Sequence, residues 1–126
     1  MTRDAISTTG APAALGPYSQ AVATDGFLFC SGQIGLDPAT GELADGIEAQ
    51  AERVLRNLEA VLAADGLGWG DVVKTTIFLA DIGDFGTVNT IYGARQADPP
   101  PARSTFAVGQ LPRGALIEIE AIARRR

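Results

Sequence analysis

The chain has 126 residues, 46% of them hydrophobic and 20% charged, a balance expected of one soluble globular domain over 1–126 and not of a disordered or collagen-like chain. The formal net charge is −5, and three of the ten basic residues are Arg124, Arg125 and Arg126, so the body lacks the basic surface of a nucleic-acid binder. There is no histidine, which excludes Ser-His-Asp and Cys-His catalysis and histidine-ligated zinc, and the one cysteine, Cys30, excludes an internal disulfide.

Proton chemistry must therefore use carboxylates, tyrosine, Cys30, the single lysine or water, and a carboxylate-only magnesium site stays formally open. No apolar run approaches the roughly 20 residues of a membrane span. Residues 1–9 show no apolar stretch of a secretory signal, and a cytoplasmic location is expected.

Residues 9–19, TGAPAALGPYS, read as a loop. Phe27 to Ser31 reads as a short buried strand, and Asp37-Pro38-Ala39-Thr40-Gly41 as a turn. Residues 46–65 predict a helix, because Ile47, Ala51, Val54, Leu55, Leu58, Val61 and Leu62 form one apolar stripe. Asp45 with Glu48 resembles a capping box, and Gly66 is a natural stop. Asp71 to Ala80 carries a β-branched run that predicts a strand buried on much of both faces. Asp81 or Asp84 can cap a second helix reaching about Arg95, with Phe85, Val88, Ile91 and Tyr92 inward and Gly86 and Gly93 weakening it. Pro99, Pro100 and Pro101 end any helix. Arg103 to Val108 is a strand, and Leu111-Pro112-Arg113-Gly114 turns the chain. Leu116 to Ala123 is the last strand, with Ile117, Ile119, Ala121 and Ala123 on one face and Glu118, Glu120 and Ile122 on the other. The expected fold is α+β, a mixed sheet with two helices on one face. The other face then needs a cover, which oligomerisation would supply.

Arg103 follows three prolines at the start of a strand, where a guanidinium is costly unless it meets an anion. It suits a bidentate carboxylate or phosphate, and a structural salt bridge is the ordinary alternative. Glu118 and Glu120 share a strand face, as a general acid or water-positioning pair or as a solvent-facing edge. Thr105 points the same way as Arg103. Direct pairing of the last two strands would set Thr105 opposite Glu118 and Arg103 opposite Glu120, unless another strand lies between. Tyr18 is either a binding phenol or a plug at the core edge. Ser31, before Gly32, ends a strand where the backbone can be approached closely. Cys30 reads as a buried small hydrophobe and Lys74 as an ordinary snorkelling or paired lysine. No GxxxxGK or GxGxxG motif is present.

Several segments together resemble one family. They are Gly16-Pro17-Tyr18-Ser19-Gln20-Ala21, Ser31-Gly32-Gln33-Ile34-Gly35, Val73 to Leu79, Asp84-Phe85 with Val88-Asn89 and Tyr92, Pro101-Ala102-Arg103-Ser104, and Ile117 to Ala123. In order along nearly the whole chain, they look like the reactive-intermediate deaminase family, also called Rid or YjgF. The resemblance implies a chorismate-mutase-like fold, a homotrimer with ligand clefts between subunits, and no cofactor or metal. It implies hydrolysis of 2-imino acids and their enamine tautomers, of the 2-aminoacrylate type, to 2-keto acids and ammonia. The family's carboxylate-clamping arginine matches Arg103, and its glutamate near the reacting centre matches Glu118. Its pocket tyrosine matches Tyr18, its strand-end serine Ser31 and its helix asparagine Asn89. Thr105, which stands where many members have cysteine, is expected to line the pocket with Tyr18, Ser31 and Asn89, and no reactive thiol is expected there. The stretch from Tyr92 to Pro101 looks shorter and richer in proline than is common.

Two other readings compete with an imine-hydrolysing enzyme. One is a binding or sensor protein that holds a 2-keto acid or similar carboxylate through the same pocket without turnover. The other is an RNA-cleaving or translation-inhibiting protein, against which the sequence pI of about 4.5 and the missing histidines both count. A small carboxylate ligand and a second copy of the chain are thus the expected partners, with no nucleic acid and no membrane.

Overall fold

The computed structural model describes residues 2–126, and their architecture is the expected α+β one. Six strands, β1 (Asp4–Ile6), β2 (Ala21–Thr24), β3 (Phe27–Ile34), β4 (Val72–Leu79), β5 (Ala102–Ala107) and β6 (Ile117–Arg124), form one sheet in the order β1-β2-β3-β6-β4-β5. Neighbours are antiparallel except β4 and β5, which are parallel, so the sheet is mixed. Two helices, α1 (Ile47–Ala64) and α2 (Phe85–Gly93), pack on the same face, and their inner residues share one core with the sheet.

The apolar stripe of α1 is buried from Ala51 to Leu62 as its spacing predicts. Gly66, at φ 73°, stops the helix. Its N–H donates to Ala63 O and that of Leu67 to Leu62 O, both at 2.9 Å, which satisfies two terminal carbonyls and folds Leu67 back onto the core. The other end differs from expectation. The helix starts after Gly46, whose φ of 87° swings the chain through a region that favours glycine. Asp45 is left outside the first turn, no side chain caps it, and the Asp45–Glu48 box does not form.

The second helix is interrupted. Asp81 caps a short 3-10 turn, Ile82–Asp84, its Oδ1 accepting the Gly83 N–H at 2.8 Å, and Asp84 caps nothing through its side chain. The α-helix ends at Gly93, short of Arg95, whose guanidinium instead bridges Glu52 and Glu59 of α1 at 2.9 and 2.6 Å.

The two faces of the sheet differ. On β6, Ile117, Ile119, Ala121 and Ala123 are at most 2% exposed beneath the helices. On β4, Thr75, Ile77 and Leu79 are buried, whereas Thr76 and Phe78 point away and are only partly covered. Burial on much of both faces is therefore not found, because both helices lie on one side. The opposite face carries Phe27, Phe29 and Phe106 at 39, 45 and 45% exposed, with Phe78 and Phe106 in edge-to-face contact at 5.3 Å. The short β1 and β2, and the extension of β3 past Ser31 to Ile34, are elements that the sequence reading does not place. Among the described residues, no helix is long and apolar enough to cross a membrane.

Candidate functional site

The loop from Ile6 to Ala21 is held from inside by Gln20, which is 5% exposed. Its Oε1 accepts the Thr8 N–H at 2.7 Å, and its Nε2 donates to Thr8 O, Ala11 O and Pro12 O at 3.1, 3.3 and 2.7 Å. A buried amide satisfied this fully fixes backbone rather than floating in a core. It sets the path of the loop that carries Tyr18. The phenol is 54% exposed and accepts the Leu15 N–H at 3.4 Å, so Tyr18 does not plug the core edge. Sequence reading missed Gln20; its signal is a long polar side chain directly before a strand.

Beside it, β3 shifts register between Cys30 and Gln33. Ser31, inside that irregular stretch, donates from Oγ to Ser19 O at 2.6 Å and from its N–H to Gln20 O at 2.9 Å. Gly32 follows, and Glu118 lies across it: a Cβ on Gly32 would run into the Glu118 carboxylate. Tyr18, Ser31, Gly32, Glu118 and Glu120 line one cavity of about 650 Å³ together with the Pro112-Arg113 turn. Half-buried there, Glu118 has its carboxyl held above the usual range, first by desolvation and then by the charge of Glu120.

Arg103 lies elsewhere. It pairs in register with Thr75 of β4, which in turn pairs with Ala121 of β6, so it projects onto the helix-covered side. Its guanidinium sits 5.3 Å from the Tyr92 ring centroid and 5.5 Å from that of Phe85. Phe85, placed inward by its spacing, is instead 37% exposed. Among the described residues Arg103 has no salt-bridge partner, so the structural ion pair is not found. The Tyr92 hydroxyl shares a 2.7 Å hydrogen bond with Thr75, and burial, the larger effect, keeps the phenol above its ordinary pKa against the opposing influence of Thr75 and Arg103. Asn89, one helical turn before Tyr92, joins Arg103, Gln96 and Pro100 around a second cavity of about 420 Å³. Thr105 faces the same side as Arg103 with its Oγ1 buried and unpaired, outside the lining of either cavity.

Within one chain the six candidate residues thus fall into two groups. Tyr18, Ser31 and Glu118 gather at one cavity, Asn89 and Arg103 at another, and Thr105 near the latter. Direct pairing of the last two strands does not occur. β4 stands between β5 and β6, placing Glu118 opposite Phe78 and Thr105 opposite Ile77. Because Ile77 and Phe78 point to opposite faces, so do Thr105 and Glu118.

The remaining candidates are ordinary. Cys30 is buried, and desolvation, with a smaller push from Asp65, moves its thiol up to about 12, which leaves it inert. Lys74 Nζ donates to Ser104 Oγ at 2.9 Å at the exposed surface. Among the described residues, no group of three or more thiol or carboxylate side chains is placed to hold a metal ion.

A family model described as Endoribonuclease L-PSP matches residues 8–125. Protein DfrA of Myxococcus xanthus is 56% identical, over 98% of this chain and 96% of its own length. The 2-iminobutanoate/2-iminopropanoate deaminase of Mus musculus is 52% identical, over 96% of this chain and 90% of its own length. The crystal structure of E. coli TdcF with bound serine superposes with a TM-score of 0.92 at 40% identity, covering 98% of this chain and 99% of that one.

Proposed function

Since the chain belongs to the endoribonuclease L-PSP family, the YjgF/Rid proteins, we propose that it hydrolyses 2-imino acids and their enamine tautomers to 2-keto acids and ammonia. It does so as a single-domain protein of the cytoplasm, assembled as a homotrimer, with no cofactor. The observation that carries this reading is the division of the site. An arginine without an ion-pair partner, backed by two rings, lines one cavity, and a half-buried carboxylate lines another, on opposite faces of one sheet. These are complementary halves. A rotationally symmetric assembly that covers the open sheet face joins the Arg103 half of one subunit to the Glu118 half of the next. The names of the mouse relative and of the serine-bound TdcF structure, an imine deaminase and an amino-acid complex, fit such a carboxylate site.

The chemistry follows from the residues. Arg103 takes the substrate carboxylate as a bidentate pair, with Asn89 on the same wall. That anchor leaves the C=N carbon directed at Glu118. Ionised Glu118 removes a proton from a water as its oxygen bonds to C2, while the C=N π electrons move to nitrogen. The same carboxyl then returns the proton to nitrogen. Glu118 then takes the proton of the C2 hydroxyl and passes it to the same nitrogen as the C–N bond breaks, so that the O–H electron pair closes C=O and 2-keto acid and ammonia leave. A carboxyl with a raised pKa suits both directions of transfer. Tyr18 and Ser31 line the walls, and Thr105 stands behind Arg103. The acidic body and the absence of histidine favour this reading over the RNA cleavage that the family description carries.

The test is ammonia and 2-keto acid release from imines generated in place by a serine or threonine dehydratase, with a chemical trap for surviving imine. Wild type accelerates release and Arg103→Ala does not, while circular dichroism and mass in solution stay unchanged. Tight carboxylate binding without acceleration by wild type would replace the enzyme with the sensor reading.

A further inference from the structure

The hydroxyl of Ser31 has one proton, and its position is fixed. Oγ lies 2.6 Å from Ser19 O, a carbonyl that can only accept, so the proton is committed to that bond. The Ser31 N–H donates in parallel to Gln20 O at 2.9 Å, and Gln20 is itself locked into the loop by its side-chain amide. Turning the hydroxyl would break a short bond inside a fastened segment. A group that reaches this hydroxyl from the cavity Ser31 lines therefore meets lone pairs only. Glu118, on the same cavity, is also an acceptor when ionised. Tyr18 is the contrast: its oxygen accepts the Leu15 N–H and keeps its own proton to give.

We propose that Ser31 reads the atom attached to C2 of the ligand, accepting a hydrogen bond from a nitrogen that bears hydrogen and gaining nothing from a keto oxygen, which brings only lone pairs. This rests on the imino-acid reading of the site and adds to it a direction. The reactant, with its N–H, is held better than the 2-keto acid product, so hydrolysis itself removes the contact and favours release. Ser31 is thus a specificity-determining residue for the nitrogen form of the substrate.

Three probes share a carboxylate and a carbon chain and differ only at C2: L-2-aminobutyrate, 2-oxobutyrate and butyrate. Their affinities for the assembled protein, measured by calorimetry, test the assignment. Ser31→Ala is expected to weaken 2-aminobutyrate about tenfold, as for loss of one hydrogen bond from a charged donor, and to change 2-oxobutyrate and butyrate less than about twofold. Ser31→Thr, which keeps a hydroxyl, restores the discrimination. An equal loss for all three ligands in Ser31→Ala would show a structural role for the hydroxyl and overturn the proposal. Binding of 2-oxobutyrate and butyrate by wild type with no binding of 2-aminobutyrate overturns it as well. Failure of all three to bind wild type removes the imino-acid reading, and the assignment with it.

Discussion

The two faces of the sheet are built from the same strands and come to opposite ends. On one, Ile117, Ile119, Ala121 and Ala123 of β6 meet the stripe of α1, and Thr75 is paired with Tyr92. On the other, alternate residues of the same strands expose Phe29 and Phe106 and present Glu118 and Glu120. One face is completed by its own chain. The other is an apolar surface bordering a carboxylate, which a second subunit would complete in the proposed assembly. On the proposed reading stability resides mainly in the first and chemistry at the junction of the two, so substitutions on either face should be separable by what they damage.

The largest effect concerns the junction. Arg103→Ala and Glu118→Gln are each expected to lower kcat/KM at least about a hundredfold, since each removes a charged partner of the reacting molecule. If the halves come from different subunits, refolding the two inactive variants together at equal amounts restores about a quarter of the wild-type activity, the share of intact sites from random mixing in a closed ring. Persistent inactivity of the refolded mixture, with hybrids confirmed by mass spectrometry, would put both halves of each site in one subunit.

The next effect contrasts the faces themselves. Leu58→Ala, at a position 0% exposed in α1, should cost about 2–5 kcal/mol in urea unfolding. Phe106→Ser on the open face should leave helix content intact and instead lower the mass in solution toward single subunits. Unchanged mass at micromolar concentration would mean that Phe106 lies outside the covering interface.

The smallest effect is electrostatic. Folding raises the Glu118 carboxyl above its unfolded value, so the folded chain holds this proton more tightly. Its stabilising contribution is full below the usual glutamate value and is lost as pH rises through the raised folded value. Glu118→Gln should therefore be more stable than wild type at neutral pH and indistinguishable from it in acid. Glu120→Gln removes the second cause of the shift, so the acid limb of the kcat/KM profile should move to lower pH.

Much of the fold is legible in the sequence where the signal is periodic and local. The stripe of α1 and the alternation of β6 each specify their own buried face. The capping box failed because one backbone torsion, at Gly46, moved Asp45 out of reach, and side-chain patterns do not carry torsions. The relation between Arg103 and Glu118 was hidden for a different reason. The strand that separates theirs, β4, comes earlier in the chain than either, so the adjacency of β5 and β6 in sequence says nothing of their spacing in the sheet. Resemblance to a family supplied the candidate residues of the site, and only the sheet order shows that one chain holds them apart.

Gly32 carries a consequence for how such a chain can drift. A methyl group there would run into the Glu118 side chain, its carboxylate first, so the carboxylate would be pushed aside. Positions 32 and 118 are therefore coupled in space although they lie far apart in sequence. A variant that gains a side chain at 32 is expected to displace the carboxylate at 118, the acid on which the proposed chemistry turns. The hydrogen that stands for a side chain at 32 thus makes the room in which the carboxylate at 118 sits.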